Sequence, residues 1–522
     1  MESISIRLPT TFNVAAHFLE LNLEAKRGDK VAFYYRNETY TYSEVSIWAQ
    51  RMASFLAQLE LERENRIAIL LPDTPEFVFA FWGAIWLGLV PVPVNTASTL
   101  EDIQYILQDC RAKLLLTNQA WCEKLTPLES PYLKHILPVD GENPLIAQLT
   151  QQDAQISWEK THREEPAFWL YTSGSTGKPK GVIHLHQSMV VCAEQYAKGV
   201  LDLREDDVIY SVAKIPFAYG LGNTLYMPMA VGAAAILSDA ANAFDIIADI
   251  HTYQPTVLFG IPGIYAGILS LHEIAPLNAA SLRLCCSAAE QLPTTIWRKW
   301  REMYSLEICE GIGTTELLHI FLSNRPDQCH AGSSGYPVSG YEVEVVDEQG
   351  KPMPIGEIGA LQVTGESLML GYWNRLQATR NALYGMTMRT GDKYVKDADG
   401  YFRFMGRNDD FFKVNGMWVS PFEIEDLLLQ HESILDAAVL PSNATNQAAS
   451  NGNGQDESLN QVIAYVSLKA GVTPSVALEN NLRQLVKSQL PHFKAPKSIH
   501  FLETLPRTST GKVHRQALLK QP

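Results

Sequence analysis

The chain has 522 residues, 46% of them apolar and 19% charged, which excludes dominant disorder and is too long for a single hydrophobic core. Its 57 acidic and 42 basic side chains leave a net charge of −15, which excludes a nucleic-acid surface as the main partner. The seven cysteines (Cys110, Cys122, Cys192, Cys285, Cys286, Cys309, Cys329) form no C-x-x-C pair, so reduced thiols in a cytoplasmic protein are expected.

In chain order, the opening "MESISIRLPTTF" shows no basic segment followed by an apolar core, so no export signal is read there. "RIAILLP" reads as a buried strand. Asp73 or Thr74 then caps a helix with Pro75 at its first position and Glu76 in its first turn. No charge occurs from Phe77 to Leu100, but Pro91 and Pro93 end the apolar run early. A buried helix running into a short strand is expected there, and no membrane insertion. "LEDIQYILQDC" predicts an amphipathic helix and "KLLLTN" a strand, and "TVLFG", "LRLCCS" and "EICEGIG" predict further short buried strands. This alternation predicts doubly wound parallel sheets, whose ligands bind beyond the carboxyl ends of the strands.

From about residue 340, "YEVEVVDEQGKPMPIGEIGALQVTG" alternates apolar and polar residues around Gly/Pro turns, predicting antiparallel strands or a small barrel. After "GRNDD" a smaller unit follows, in which the polar stretch 442–458 reads as a surface loop. Asn443 there matches a glycosylation acceptor, with no secretion signal to support its use.

"YTSGSTGKPKG" (171–181) has the residue types of a phosphate cradle. Glycines let the backbone approach an oxyanion, hydroxyls and amides donate to it, and Lys178 and Lys180 bring charge. It is not a P-loop: Gly174 and Gly177 are too close together, and Lys178 is followed by Pro179. "GIGTTE" (311–316), "RTGD" (389–392), "GRNDD" (406–410) and "PRTSTGK" (506–512) are weak signals singly and a strong one in this order.

With "FAYGLGN", "GIGTTELLHIFLSN", "GEIGALQVTGESLMLGYWN", "GRNDDFFKVNGMWVSPFEIE" and "LPRTSTGKVHRQAL", these motifs carry a resemblance over nearly the whole chain. The chain resembles the adenylate-forming superfamily, and within it the benzoate-CoA ligases. The resemblance implies an α/β fold: a large N-terminal domain (1–408) of two doubly wound sheets plus a small β-barrel, and a smaller mobile α+β C-terminal domain (409–522). It implies a two-step reaction, in which a carboxylate attacks the α-phosphate of ATP and a thiol then displaces AMP to give a thioester.

The same resemblance distributes roles over this sequence. Thr172, Ser173, Gly174, Ser175, Thr176, Gly177 and Lys178 match the pyrophosphate loop. Ser287, Ala288, Ala289 and Glu290 match the segment lining the adenine pocket, as do Gly311, Ile312, Gly313 and Thr314. Ile312 departs from the pattern, because many members carry an aromatic residue there. Thr315 matches an α-phosphate donor and Glu316 a Mg²⁺ ligand. Asp392 and Arg407 match ribose contacts, and Lys512 the lysine bridging carboxylate and α-phosphate. Asp409 matches the hinge about which the Lys512 face gives way to the face beginning at Lys413, where Gly416 would line a pantetheine tunnel. Ala218, Tyr219, Gly220, His319 and Ile320 match the acid pocket, with Lys413 added to the substrate set. Amino-acid-activating relatives keep an Asp where this chain has Ala218, so an acid without an α-amino group is expected, benzoate or a ring-substituted relative. ATP, CoA and Mg²⁺ are the implied cofactors. A carrier-protein thiol in place of CoA, a homodimer and a non-catalytic homologue stay open.

Overall fold

The computed structural model describes residues 6–125, 130–172, 178–415, 417–442, 460–469, 471–507 and 513–518. The polar stretch 443–459, with its Asn443 acceptor, lies outside the described residues, as do Ser173–Gly177, Gly416 and Lys512.

The uncharged run folds as expected: the Pro75–Trp86 helix buries every residue except Glu76 and leads into the Val90–Pro93 strand. Gly83 lets this helix approach the Tyr42–Ala57 helix, since a Cβ there would stand 2.7 Å from the Ala49 carbonyl oxygen. The expected side-chain cap is absent. Thr74 holds the N-cap position without a capping hydrogen bond, and the Asp73 carboxylate accepts instead from the Ile215 N–H (3.1 Å). Among the described residues no helix is long and apolar enough to cross a membrane.

By packing, the chain divides into two units: 1–292 with 296–343 and 362–390, and 293–295 with 344–361 and 391–522. In the first unit, strands Val90–Pro93, Arg66–Leu70, Leu114–Thr117 and His135–Pro138 form a four-stranded parallel sheet in that order. A nine-stranded sheet runs from Tyr336–Pro337 through Ile320–Ser323, Ile308–Gly313, Leu284–Ser287, Val257–Gly260, Val208–Ser211, Ala234–Leu237 and Val31–Tyr35 to Glu38–Thr41. Its interior pairs are parallel and its edges antiparallel. The interior strands are fully buried runs such as Val257–Gly260 and Leu284–Ser287, because helices cover both faces of such sheets. Tyr210, Ile246, Ile250, Leu258, Tyr265 and Trp300 pack together in one of its cores.

The phosphate-loop motif follows a buried strand, Pro166–Thr172, but this strand pairs antiparallel with Lys180–Leu185 and belongs to neither parallel sheet. The motif therefore connects two strands of a hairpin rather than a strand to a helix.

The alternating segment beyond residue 340 gives the strands Glu342–Val346 and Ile358–Thr364, then the antiparallel pair Thr387–Lys396 and Phe402–Arg407. Alternate residues of Ile358–Thr364 are buried, the period-2 pattern of a one-sided sheet. In the second unit, Ile434–Pro441, Val462–Leu468 and Ser498–Leu502 form a three-stranded sheet. Ile424 and Leu428 of the Pro421–Leu429 helix and Leu482 and Val486 of the Val476–Gln489 helix share a core with Val439, Ala464 and Val466 from this sheet.

Candidate active site

The Leu284–Ser287 and Ile308–Gly313 strands run parallel, with Ser287 opposite Glu310, so their carboxyl ends open on the same side. Open α/β sheets bind ligands at this place. Ser287 is buried with its hydroxyl unpartnered. Ala288 is buried and Glu290 exposed, and Ala289 has φ +72°. Gly311, Ile312 and Gly313 pair with Ser323, Leu322 and Ile320 of the returning strand. A Cβ on Gly313 would stand 2.3 Å from the His319 carbonyl oxygen, so the residue must be glycine for the chain to reverse here.

The "TTE" motif does not start an α-helix. Thr314 caps a single 3₁₀ turn, Thr315–Leu317, by accepting from the Leu317 N–H (3.3 Å). Leu318, at φ +66°, then reverses the chain into the Ile320–Ser323 strand. His319 accordingly follows a turn.

Two contacts lock this turn. The Glu316 carboxylate accepts from the Tyr372 hydroxyl (2.5 Å), and Lys180 lies 4.5 Å over the Tyr372 ring. His184, on the Lys180–Leu185 strand, bonds through Nε2 to the Thr315 carbonyl (2.7 Å). Because a carbonyl only accepts, Nε2 carries the proton. Burial pushes the His184 pKa down to about 4, so the ring is neutral. The phosphate-loop hairpin is thereby fastened to the turn carrying Thr315 and Glu316. Thr172 ends the first hairpin strand opposite Lys180. Lys178 is exposed and ion-paired with Glu101.

The acid-pocket motif forms a short helix, Ala218–Leu221, that widens into a π-helical turn, Gly222–Tyr226. A second π-helical stretch, Ala193–Lys198, contributes Tyr196. Such widened turns are frequent at functional sites, because they re-aim side chains that a regular helix would stack. The His319 ring lies 5.3 Å from Tyr196, 5.6 Å from Tyr219 and 6.4 Å from Tyr226, centroid to centroid. Tyr219 also meets Phe259 edge-on at 5.9 Å. A Cβ on Gly220 would meet the Lys214 carbonyl oxygen at 2.1 Å, and one on Gly222 the His319 ring at 2.5 Å. Ile320 is buried, and its Cγ2 would touch a Cβ on Gly311 at 3.0 Å.

Several polar groups here are buried with few partners within the chain: the Thr224 hydroxyl has none, the Tyr219 hydroxyl meets the Asn223 side chain, the Tyr226 hydroxyl meets Cys192, and the His319 ring meets the Tyr219 backbone. Unpartnered polar atoms are expensive inside a protein. Their concentration around one aromatic cluster makes it the candidate place for a ligand. Burial pushes the His319 pKa down to about 3, so this cluster carries no histidine charge near neutrality.

In the second unit, Asp392 and Arg407 face each other across the strand pair and form an ion pair at 2.7 Å. Gly391, at φ +79°, leaves space for the arginine, since a Cβ there would stand 3.2 Å from its Nη2. Asp409 is exposed in the 3₁₀ turn Asn408–Asp410. The neighbouring Asp410 lies 3.9 Å from Arg515, which also binds Glu425 at 2.7 and 2.9 Å. Lys413 lies opposite Trp418 in a hairpin, with its ammonium 4.8 Å over the indole.

Sequence reasoning missed His184, Tyr372, Asn223, Thr224, Tyr226 and Tyr196. The first four of these lie inside or beside the motifs, but only their tertiary partners reveal a role.

Residues 20–373 match the AMP-binding enzyme family, and residues 423–512 its C-terminal domain. The chain belongs to the AMP-binding enzyme family. It is 37% identical to a benzoate–CoA ligase of Thauera aromatica, covering 98% of this chain and 96% of the relative. It is 38% identical to a 4-hydroxybenzoate–CoA/benzoate–CoA ligase of Rhodopseudomonas palustris, covering 97% and 94%. A solved anthranilate CoA ligase in complex with anthranoyl-AMP superposes with a TM-score of 0.90 at 35% identity, covering 98% of this chain and 97% of that one.

Proposed function

We propose that this protein is an ATP-dependent acid–thiol ligase that converts benzoate or a ring-substituted benzoate to acyl-AMP and then to its CoA thioester, releasing pyrophosphate and AMP. The aromatic, uncharged pocket around His319, with Ala218 offering no carboxylate to an α-ammonium group, carries this reading. Relatives covering nearly the full chain act on benzoate and 4-hydroxybenzoate, which fits a flat ring there.

The first half-reaction brings one anion against another. At 4 Å two unit charges repel by about 4 kcal/mol at an effective dielectric near 20. Opposite charge and donors must therefore be in place beforehand. Lys512 is assigned to the carboxylate and α-phosphate oxygens, Thr315 to the α-phosphate, and the 172–178 loop to the leaving pyrophosphate. Glu316 suits Mg²⁺, which binds through one or two carboxylates plus substrate phosphates rather than in an all-protein cage. Among the described residues no group of three or more acidic, His or Cys side chains could hold a metal by itself, which fits that mode. The ion would neutralise phosphate oxygens. Ser287–Glu290 and Gly311–Thr314 are assigned to adenine and its approach, with Ile312 offering an aliphatic face, and Asp392 and Arg407 to the ribose. Ala218–Gly220, His319 and Ile320 hold the ring.

For the thiol step, the unit from Asp409 onward is assigned a rotation about that residue. The rotation withdraws Lys512 and presents the face from Lys413 to Gly416. CoA is the assigned thiol, and thioester formation with CoA alone separates it from a carrier protein. All seven cysteines are free, in keeping with a cytoplasmic location.

The test is pyrophosphate release with benzoate, hydroxybenzoates, cinnamate and medium-chain fatty acids, with Lys512→Ala as the diagnostic variant. Lys512→Ala should lose adenylate formation by about 10²–10³ while still making thioester from supplied acyl-AMP. Equal loss of both steps refutes the assignment of Lys512, and no AMP from any aromatic acid refutes the function.

A further inference from the structure

The sulfurs of Cys309 and Cys329 lie 3.1 Å apart, closer than non-bonded packing of two sulfur atoms. Cys309 is buried on the Ile308–Gly313 strand, and Cys329 is partly exposed beyond the Ile320–Ser323 strand. Hydrogen bonds hold the two segments in this register. The Asn324 amide donates to the Glu310 carbonyl (3.0 Å) and the Ser333 carbonyl (2.6 Å), and its oxygen accepts from the His330 N–H (2.9 Å). A disulfide requires sulfurs about 2.0 Å apart, so closure asks for roughly one ångström of movement. Neither thiol has a part in the ligase chemistry proposed above.

We propose that Cys309 and Cys329 are a redox modification site that closes to a disulfide when the protein meets hydrogen peroxide. One thiol of the pair attacks one oxygen of the peroxide. The O–O bond breaks, water leaves, and a sulfenic acid forms on that sulfur. The other sulfur then attacks it, and the S–O bond breaks as a second water leaves with the thiol proton. Two thiols give up two electrons and two protons, and the peroxide is reduced to two waters. The new bond joins residues 20 apart in sequence and clamps the strand that ends at Gly311–Gly313. A cross-link of this kind restricts the unfolded chain, so the oxidised protein is the more stable form.

The experiment treats the full-length protein with hydrogen peroxide, alkylates remaining thiols, and maps peptides by mass spectrometry beside a thermal melt. A linked Cys309–Cys329 peptide, reversed by dithiothreitol and accompanied by a higher Tm, is expected. Cys309→Ser and Cys329→Ser should each lose the peroxide-dependent Tm rise. Three results overturn the proposal: both thiols still alkylatable, Cys329 carried to sulfinic acid without linkage, or Cys309 linked instead to Cys286, its cross-strand neighbour. The linked-peptide result in the unmodified sequence decides even if a serine variant fails to fold.

Discussion

Glu316 has one carboxylate oxygen taken up by the Tyr372 hydroxyl, in a turn further held by His184 on the Thr315 carbonyl. These contacts fix the carboxylate without neutralising it. Glu316→Gln keeps the shape and the acceptor oxygen toward Tyr372 but removes the charge, so the rate of adenylate formation should fall by about 10²–10³. Measured by pyrophosphate release, this loss should come with an unchanged Tm. A variant that melts early instead would make Glu316 a structural residue. His319, by contrast, is held neutral by burial through the physiological range, so in the proposed acid site it would offer a ring a face and an edge rather than a charge.

Among the elements, the π-helical turn Gly222–Tyr226 depends on a residue without a side chain. A Cβ on Gly222 would press on the His319 ring at 2.5 Å and the Tyr226 hydroxyl at 2.7 Å. Gly222→Ala overpacks this junction, for which about 1–3 kcal/mol is usual. It should raise KM for the aromatic acid while leaving KM for ATP near its starting value, and steady-state kinetics with each substrate varied separates the two. In the second unit, Arg515 bridges the Pro421–Leu429 helix through buried Glu425, the Val439 carbonyl (3.0 Å) and the turn carrying Asp410. Removing one partner of a buried pair strands the other. Arg515→Ala should therefore cost about 3–5 kcal/mol of that unit's stability, read as an earlier unfolding transition in urea. A loss under about 1 kcal/mol would place the pair among surface ion pairs.

For the whole molecule, acid stability follows from three buried histidines. Burial pushes His184, His186 and His319 from the ordinary 6.5 down to about 4, 3 and 3. Each is neutral in the folded protein, while in the unfolded chain each takes up a proton below pH 6.5. The unfolded state then binds more protons, so stability falls as pH drops from 6.5 toward the folded values. Asp73, raised by burial from 3.8 to about 6, acts in the opposite sense between those values, as do Glu20, Asp410 and Asp436 through smaller upward shifts, while the lowered His17 adds to the three histidines. Thermal melts from pH 7 to pH 4 should show Tm falling, with a shallower slope in His319→Gln. A Tm that stays level over that range would mean that these rings are hydrated in the folded state.

The sequence by itself determined the alternation of buried strands and helices, the buried rather than membrane-spanning helix Pro75–Trp86, the antiparallel pattern beyond residue 340, and the motif order from Thr172 to Lys512. These are local properties: periodicity, turn chemistry and residue type at fixed spacing. Tertiary structure alone decided that the phosphate-loop motif joins two antiparallel strands and that "TTE" makes one 3₁₀ turn. It also decided that Thr74 caps without a side-chain bond, and that His184 and Tyr372 bond to Thr315 and Glu316 while Asn223 and Tyr196 gather around His319 and Tyr219. The physical reason is range. The His184 bond to Thr315 spans 131 residues, and the Tyr372 bond to Glu316 spans 56. Contacts of that separation leave no trace in local periodicity and exist only once the sheets have brought their carboxyl ends together.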